Sequence, residues 1–354
     1  MSLLAQTVSR ILPVDEQARR NAKDRLDRLT MPHWALGRLM DLAMDLAAIT
    51  GSIRPAVEKR VIAVMVGDHG VVDEGVSKFP QEVTLQMIYN FLSGGAAINA
   101  ICRASRAQVV VVDVGVAGDL MNVAEGQEFM SKRIAPGTRN IAVGPAMTRD
   151  EAVRAVEAGI EVALELGPSF DIFGTGDMGI GNTTPSSAIV AAITGAPPEK
   201  VTGRGTGLDD SQFRHKVAMV EQSLRVNSPN KENALDVLAK VGGFEIAAIA
   251  GLILGAASMR KPVLIDGFIS SAGALIADGI CREARDYMIA AHMSVEQGHR
   301  IALGHMNKQP LLDLDMRLGE GTGAALAMSL CEAAVRVLTE MATFEEAAVS
   351  TADK

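Results

Sequence analysis

Four short, β-rich apolar runs punctuate the chain: VIAVMV at 61–66, VVVVDV at 109–114, FDIF at 170–173 and PVLID at 262–266. None alternates strictly between apolar and polar, so each predicts a strand buried on both faces. Helical stretches lie between them, long enough to cross from one strand to the next. This pattern predicts an α/β fold whose parallel sheet is covered on both sides by helices. Residues 1–58 read differently. ARRNAKDRLDRL (18–29) is charged, LGRLMDLAMDLAAI (36–49) repeats apolar residues at helical spacing, and no strand signal appears. That segment, joined by a helix expected over 324–348, predicts a small helical domain beside a large α/β domain spanning 59–323. The last ten or so residues are expected to fray.

The strand ends carry the first chemical signal. VIAVMV runs into Gly67-Asp68-His69-Gly70, VVVVDV into Gly115, and PVLID into Gly267-Phe268-Ile269-Ser270-Ser271. FDIF runs into Gly174-Thr175-Gly176-Asp177-Met178-Gly179-Ile180-Gly181-Asn182-Thr183-Thr184. Ligands of open parallel sheets bind beyond the carboxyl ends of the strands, so one active-site edge is expected there.

Composition sharpens the picture. Hydrophobic residues make up 48% of the chain and aromatics only 3%, so the core is built from Ala, Val, Ile, Leu and 18 Met. The net charge is −8 with no basic run, which argues against a nucleic-acid partner. Cys102, Cys281 and Cys331 are scattered, which fits neither a disulfide framework nor a zinc ribbon and suits a reducing, cytoplasmic location. The N-terminus turns polar too early for a signal peptide. The most apolar run, 246–257, is too short for a bilayer about 30 Å thick and is read as a buried helix, so no membrane partner is expected.

Three glycine-rich stretches carry candidate chemistry. Residues 174–179 fit G-x-G-x-x-G, but the loop continues to Pro185, the expected first helical residue with Thr184 as its cap. A dinucleotide turn is shorter, and the acid expected about twenty residues on would be Glu199, in a turn. An NAD-dependent oxidoreductase is therefore the weaker reading. A phosphate or carboxylate site and a plain strand–helix connection both stay open. In VTGRGTGLDDSQFRHK (201–216), Thr202, Arg204, Thr206 and Lys216 are candidates for phosphate, whereas Asp209 and Asp210 read best as a capped helix start. In Arg317-Leu318-Gly319-Glu320-Gly321-Thr322-Gly323, Glu320 stands between glycines that shield it little. It is a candidate general base or simply a helix-start acid. His292 and His299 are a heptad apart, able to share a helix face, but no histidine spacing matches a zinc site.

Taken together, GDHGVVDEGVSKFPQEVTLQMIYNFLSGGAAINAIC (67–102), GTGDMGIGNTTPSSAI (174–189), GRGTGLDD (203–210), PVLIDGFISSAGALIA (262–277) and LGEGTGAALA (318–327) carry a resemblance. The chain resembles the nicotinate-nucleotide:dimethylbenzimidazole phosphoribosyltransferases of cobalamin lower-ligand synthesis. The resemblance implies a Rossmann-like, mostly parallel sheet flanked by helices, a small helical domain, a homodimer and no metal or other cofactor. It implies nicotinate mononucleotide and 5,6-dimethylbenzimidazole as substrates, with Glu320 as catalytic base and Asp177 contributing where the family commonly has Glu. Gln86 and Met178 match the base pocket, an apolar, flat site for which Met178 and Leu318 are expected to supply adaptable walls. Gly176, Gly179, Gly181, Asn182, Thr183, Gly203, Gly205, Lys216, Ser294 and Gly319 match the substrate-binding loops. Lys78 is larger than expected near that pocket, facing solvent or altering the choice of base. A non-catalytic binder of a phosphorylated metabolite is the alternative from another class.

Overall fold

The structure is a computed structural model that describes residues 1–350 apart from 121, 122, 124, 125, 127 and 206. Its main sheet is built from β1 (Arg60–Gly67), β2 (Ala107–Gly115), β3 (Phe129–Ser131), β4 (Ile172–Met178), β5 (Val263–Ile265) and β6 (Met288–Ala290). The six strands are parallel and run in the order β3-β2-β1-β4-β5-β6. The direction of winding reverses between β1 and β4, which opens a crevice at their carboxyl ends. A short parallel pair, β7 (His292–Met293) and β8 (Leu312–Asp313), follows β6.

Every residue of β1 is buried, as its unbroken apolar run predicts. The aromatic-poor core permits close helix contacts. The helix Phe244–Ser258 packs on Arg149–Leu166 through Gly159, Gly251 and Gly255. A Cβ at Gly251 would overlap the Val156 carbonyl oxygen, and one at Gly159 would overlap that of Ala248. The apolar run 246–257 lies within the first of these helices and is buried. Among the described residues one helix, Thr322–Glu340, is long and apolar enough to cross a membrane, and 56% of its apolar window is buried inside the protein.

The N-terminal segment forms the helices Leu3–Val8, Glu16–Leu26 and Arg38–Thr50. Asp15 caps the second, its Oδ1 accepting from the backbone N–H groups of Gln17 and Ala18 at 2.9 Å each. The C-terminal segment lies against this region. Arg25 Nε donates to the Leu338 carbonyl at 2.7 Å, and the Phe344 N–H donates to the Arg28 carbonyl at 3.0 Å. The expected frayed end is held by backbone hydrogen bonds up to Val349, whose N–H donates to Phe344 O at 3.0 Å, while its last four residues, 351–354, lie outside the described residues.

Other expectations change as well. The third expected strand sits later: β4 starts at Ile172 and extends through Met178, so Gly174 and Gly176 are strand residues rather than turn residues. The reason is packing. A Cβ at Gly174 would fall 3.1 Å from both Ala324 Cβ and Met328 Cε, and one at Gly176 would fall 2.6 Å from the Glu320 carbonyl oxygen. The first two glycines of the G-x-G-x-x-G match thus serve close approach within the sheet layer, which removes the dinucleotide turn. The following helix begins at Thr183 with Asn182 at its N-cap, two residues before the expected start at Pro185.

Gly251→Ala tests the helix contact. Alanine gains about 1 kcal/mol of helix propensity, but overpacking costs about 1–3 kcal/mol or more. Net destabilisation is expected in urea unfolding; a gain in stability would show that the two helices do not touch at Gly251.

Candidate active site

Four strands each deliver buried ionisable residues to the carboxyl edge: Asp68 and His69 after β1, Asp113 near the end of β2, Asp177 in β4 and Asp266 after β5. Backbone donors meet several of them. Asp68 Oδ2 accepts from the Ala117 N–H at 2.8 Å, and Asp113 Oδ1 accepts from the Val116 N–H at 2.9 Å. Asp266 is the anchor of the next element. Its Oδ2 accepts from the Gly321 N–H at 3.2 Å and its Oδ1 from the Ala324 N–H at 2.9 Å, which fixes the start of the helix Thr322–Glu340.

That anchor presents Glu320. Gly319, Glu320 and Gly321 have φ of 84°, 61° and 91°, three successive left-handed residues. The Glu320 N–H donates to the Asp177 carbonyl at 3.2 Å, so the turn rests on the end of β4. The glutamate is only 6% exposed, contrary to the expectation that flanking glycines leave it unshielded. The shielding comes from distant elements. Glu320 Oε2 accepts from the N–H of Ile98 at 3.2 Å, in the first turn of the helix Ala97–Ser105. Burial pushes its carboxyl above the ordinary value, the Ile98 N–H opposes the rise, and Asp266 adds to it.

Asp177 is 5% exposed. Burial holds its pKa well above 3.8, and the nearby carboxyls of Asp266, Glu245 and Glu320 push the same way. Asn182 Nδ2 donates to its Oδ2 at 3.1 Å, while its Oδ1 is buried with no partner among the described residues. Behind it, His69 Nε2 and Glu245 Oε1 lie 2.8 Å apart, both buried. Burial disfavours the charged His69 ring, but Glu245 overcomes this and the histidine pKa is raised.

A second group of residues sits beside this cluster. Lys216 is 1% exposed, and its Nζ donates to Thr183 Oγ1 at 2.7 Å. Burial pushes the lysine down to about 8, partly opposed by Glu296. The Gly205 N–H donates to Glu296 Oε1 at 3.1 Å, and the Glu296 N–H donates to Ser294 Oγ at 3.3 Å. Thus Thr183, Gly203, Gly205, Lys216 and Ser294 converge through Glu296. Asn182 and Thr183, adjacent at a helix N-terminus, join this cradle to the carboxylates. Gly179 and Gly181 press the connecting loop onto the end of β1 and onto Val72.

Other candidates lie elsewhere. Gln86 is exposed on the helix Glu82–Leu92, two residues from Thr84, whose hydroxyl accepts from the Ile180 N–H at 3.1 Å. Met178 is half-buried, Leu318 is 57% exposed, and Lys78 is exposed. Thr202 and Arg204 are spent within their own loop: Thr202 Oγ1 donates to Pro198 O at 2.8 Å, while Arg204 donates to Leu208 O at 2.9 Å and pairs with Asp210. Asp209 caps the helix Asp210–Asn227, as expected. Thr206 lies outside the described residues. His292 and His299 share no helix; one is in β7, the other in the helix Gln297–His305, with rings 6.0 Å apart. Asp266, Glu245 and Glu296 were not expected as site residues. Asp266 ends the PVLID run, a usable signal, whereas nothing local marks Glu245 or Glu296.

A pH test follows from Asp177. Its folded pKa lies above the unfolded value, so the fold retains a proton that the unfolded chain releases. Stability is therefore lost as pH rises from about 4 through the raised folded value. Asp177→Asn is expected to stabilise the fold near neutral pH by on the order of 1–3 kcal/mol, and by less at acid pH. Equal effects in urea unfolding at both pH values would contradict a protonated Asp177.

With this geometry in place, comparison with known proteins is specific. A family model described as phosphoribosyltransferase matches residues 11–349. A nicotinate-nucleotide--dimethylbenzimidazole phosphoribosyltransferase of Syntrophotalea carbinolica is 61% identical over 350 residues, 99% of each chain. The enzyme of the same name from Geobacter sulfurreducens is 54% identical over 354 residues, covering 100% of both chains. A crystal structure of the Thermus thermophilus phosphoribosyltransferase of that name superposes with a TM-score of 0.90 at 45% identity, covering 95% of this chain and 99% of that one. The buried carboxylates at the switch point and the lysine-lined cradle thus sit in a chain that belongs to the nicotinate-nucleotide–dimethylbenzimidazole phosphoribosyltransferase family.

Proposed function

We propose that the protein transfers phosphoribose from nicotinate mononucleotide to 5,6-dimethylbenzimidazole, yielding nicotinate and α-ribazole 5′-phosphate. The observation that carries this reading is Glu320. It is a buried carboxylate of raised pKa held over the sheet's carboxyl edge, beside a cradle of Lys216, Thr183 and backbone amides. The nucleotide already carries a pyridinium, so its glycosidic bond is activated and nicotinate leaves without an acid. One benzimidazole nitrogen attacks the anomeric carbon while the other gives up its proton. Glu320 accepts that proton. Its burial makes it a stronger base than a free glutamate, and the Ile98 N–H keeps its ionised form accessible. Burial raises the Asp177 pKa well above the ordinary value, which disfavours a second negative charge beside that base. Attack on the face opposite nicotinate turns the β-nucleotide into the α-product. Lys216, Thr183 and the 203–205 loop hold the 5′-phosphate, and positioning of the two substrates supplies much of the rate. Met178, Leu318 and Gln86 line the base side.

The chain acts as a cytoplasmic homodimer without a metal or other cofactor in this reading. The 1–58 segment with the C-terminal helix forms its small helical domain.

Two outcomes test the assignment. Glu320→Gln is expected to lower kcat by about 10²–10⁴-fold while nicotinate mononucleotide binding changes less than about threefold. Unchanged turnover in a nicotinate-release assay would remove Glu320 from the mechanism. Lys216→Met is expected to raise the nucleotide Kd about 10- to 100-fold, the loss of a charge-assisted bond. In the unaltered protein, affinity is expected to weaken as pH rises through about 8, where Lys216 loses its charge. A Kd flat across that range would place the phosphate elsewhere.

A further inference from the structure

The cradle read above as the phosphate site contains a carboxylate of its own. Glu296 is 8% exposed. Its Oε1 accepts from the Gly205 N–H at 3.1 Å, and its Oε2 is buried with no partner among the described residues. Gly203 must be glycine for this arrangement, because a Cβ there would overlap Glu296 Oε2. A Cβ at Gly205 would fall 3.3 Å from Lys216 Nζ and 3.5 Å from Thr183 Oγ1. The Glu296 carboxylate, the Lys216 ammonium and the loop amides therefore meet around the same two glycines. Lys216 gives its hydrogen bond to Thr183 rather than to Glu296.

The geometry points to Glu296 as an internal competitor of the substrate phosphate, a carboxylate that must gain a proton when the nucleotide binds. The inference rests on the functional reading above, which places the 5′-phosphate at Lys216. A phosphate dianion beside an ionised, buried carboxylate meets repulsion that little solvent screens. Among the described residues, the charged groups that act on Glu296 are Lys216 from the helix Asp210–Asn227 and Arg317 from the stretch before the Glu320 turn, while Arg300, Asp313 and Asp315 line the same cleft with it. His299, on the helix that follows Glu296, bears on it through Ser294, whose N–H donates to His299 Nδ1 at 2.8 Å. Burial and the neighbouring His292 push His299 down to about 3, so its ring is uncharged. Burial raises the carboxyl of Glu296, against the pull of Lys216, the Gly205 N–H and Arg317. An incoming phosphate takes up the charge of Lys216 and Arg317, which tips the balance toward protonation. The proton comes from the buffer and returns to it when the phosphate leaves. The product keeps the same 5′-phosphate, so the competing carboxylate weakens the hold on substrate and product alike and favours turnover over tight binding.

The test is isothermal titration with inorganic phosphate and with nicotinate mononucleotide at about pH 7, in two buffers of different ionisation heat. A phosphate monoester is already largely dianionic there, its second pKa being about 6. The unaltered protein is expected to take up more protons on binding than Glu296→Gln. The variant keeps the Gly205 hydrogen bond and is expected to bind both ligands at least about tenfold more tightly. Equal proton uptake, or weaker binding by Glu296→Gln, would overturn the inference and leave Glu296 as a prop for the loop. If Glu296→Gln does not fold, the unaltered protein with nicotinate mononucleotide decides, since inorganic phosphate itself releases protons on binding as a dianion near neutral pH: no net uptake with the nucleotide rejects the inference. Lys216→Met separates this from the broader reading. If it loses nucleotide affinity while Glu296→Gln gains none, only the role of Glu296 falls. If it binds as the unaltered protein does, the phosphate placement itself fails.

Discussion

The structure turns on one contact, the landing of the 319–321 turn on the end of β4. Gly176 lacks the Cβ that would strike the Glu320 carbonyl, and the Glu320 N–H donates to Asp177 O at 3.2 Å. Asp266 then holds the Gly321 and Ala324 amides and starts the helix that runs back along the sheet. Three left-handed residues in succession are costly for Glu320, the one that is not glycine. The conformation persists because β4, Asp266 and the Ile98 amide determine it from three sides.

That contact also sets the electrostatics. The reversal of winding between β1 and β4 gathers acids at one edge, and their burial makes simultaneous ionisation costly. The site resolves this by giving each carboxyl a different partner. Asp266 takes helix amides, Glu320 takes a single amide, Asp177 takes Asn182 while burial raises its pKa, and Glu245 takes His69. A carboxylate that stays basic without being tied up by a cation is what proton abstraction from a benzimidazole requires. Lys216 gives its hydrogen bond to Thr183 instead.

The sheet was legible because β1 and β2 are continuous apolar runs, which buried parallel strands must be. The short strands β3 and β6 were not: three residues carry no period, and neither FMS nor MIA sits in an apolar run like the PVLID that marks the equally short β5. The β4 boundary misled for a physical reason: Gly174 and Gly176 look like turn residues locally, yet they answer to Ala324, Met328 and Glu320 about 150 residues away in sequence. The site shows the same division. Lys216 and Glu320 were legible from their glycine-rich settings. The roles of Glu245 and Glu296 depend on partners in other elements, His69 and Gly205, and no local pattern announces them.

The central claim is that a buried carboxylate of raised pKa takes the benzimidazole proton, and kcat against pH tests it most directly. With both substrates saturating, kcat is expected to fall on the acid side through a single-proton step whose midpoint lies above 4.5, the ordinary glutamate value. That step should vanish from the residual activity of Glu320→Gln. A kcat that stays flat through this range, or the same acid limb in the variant, would contradict the account.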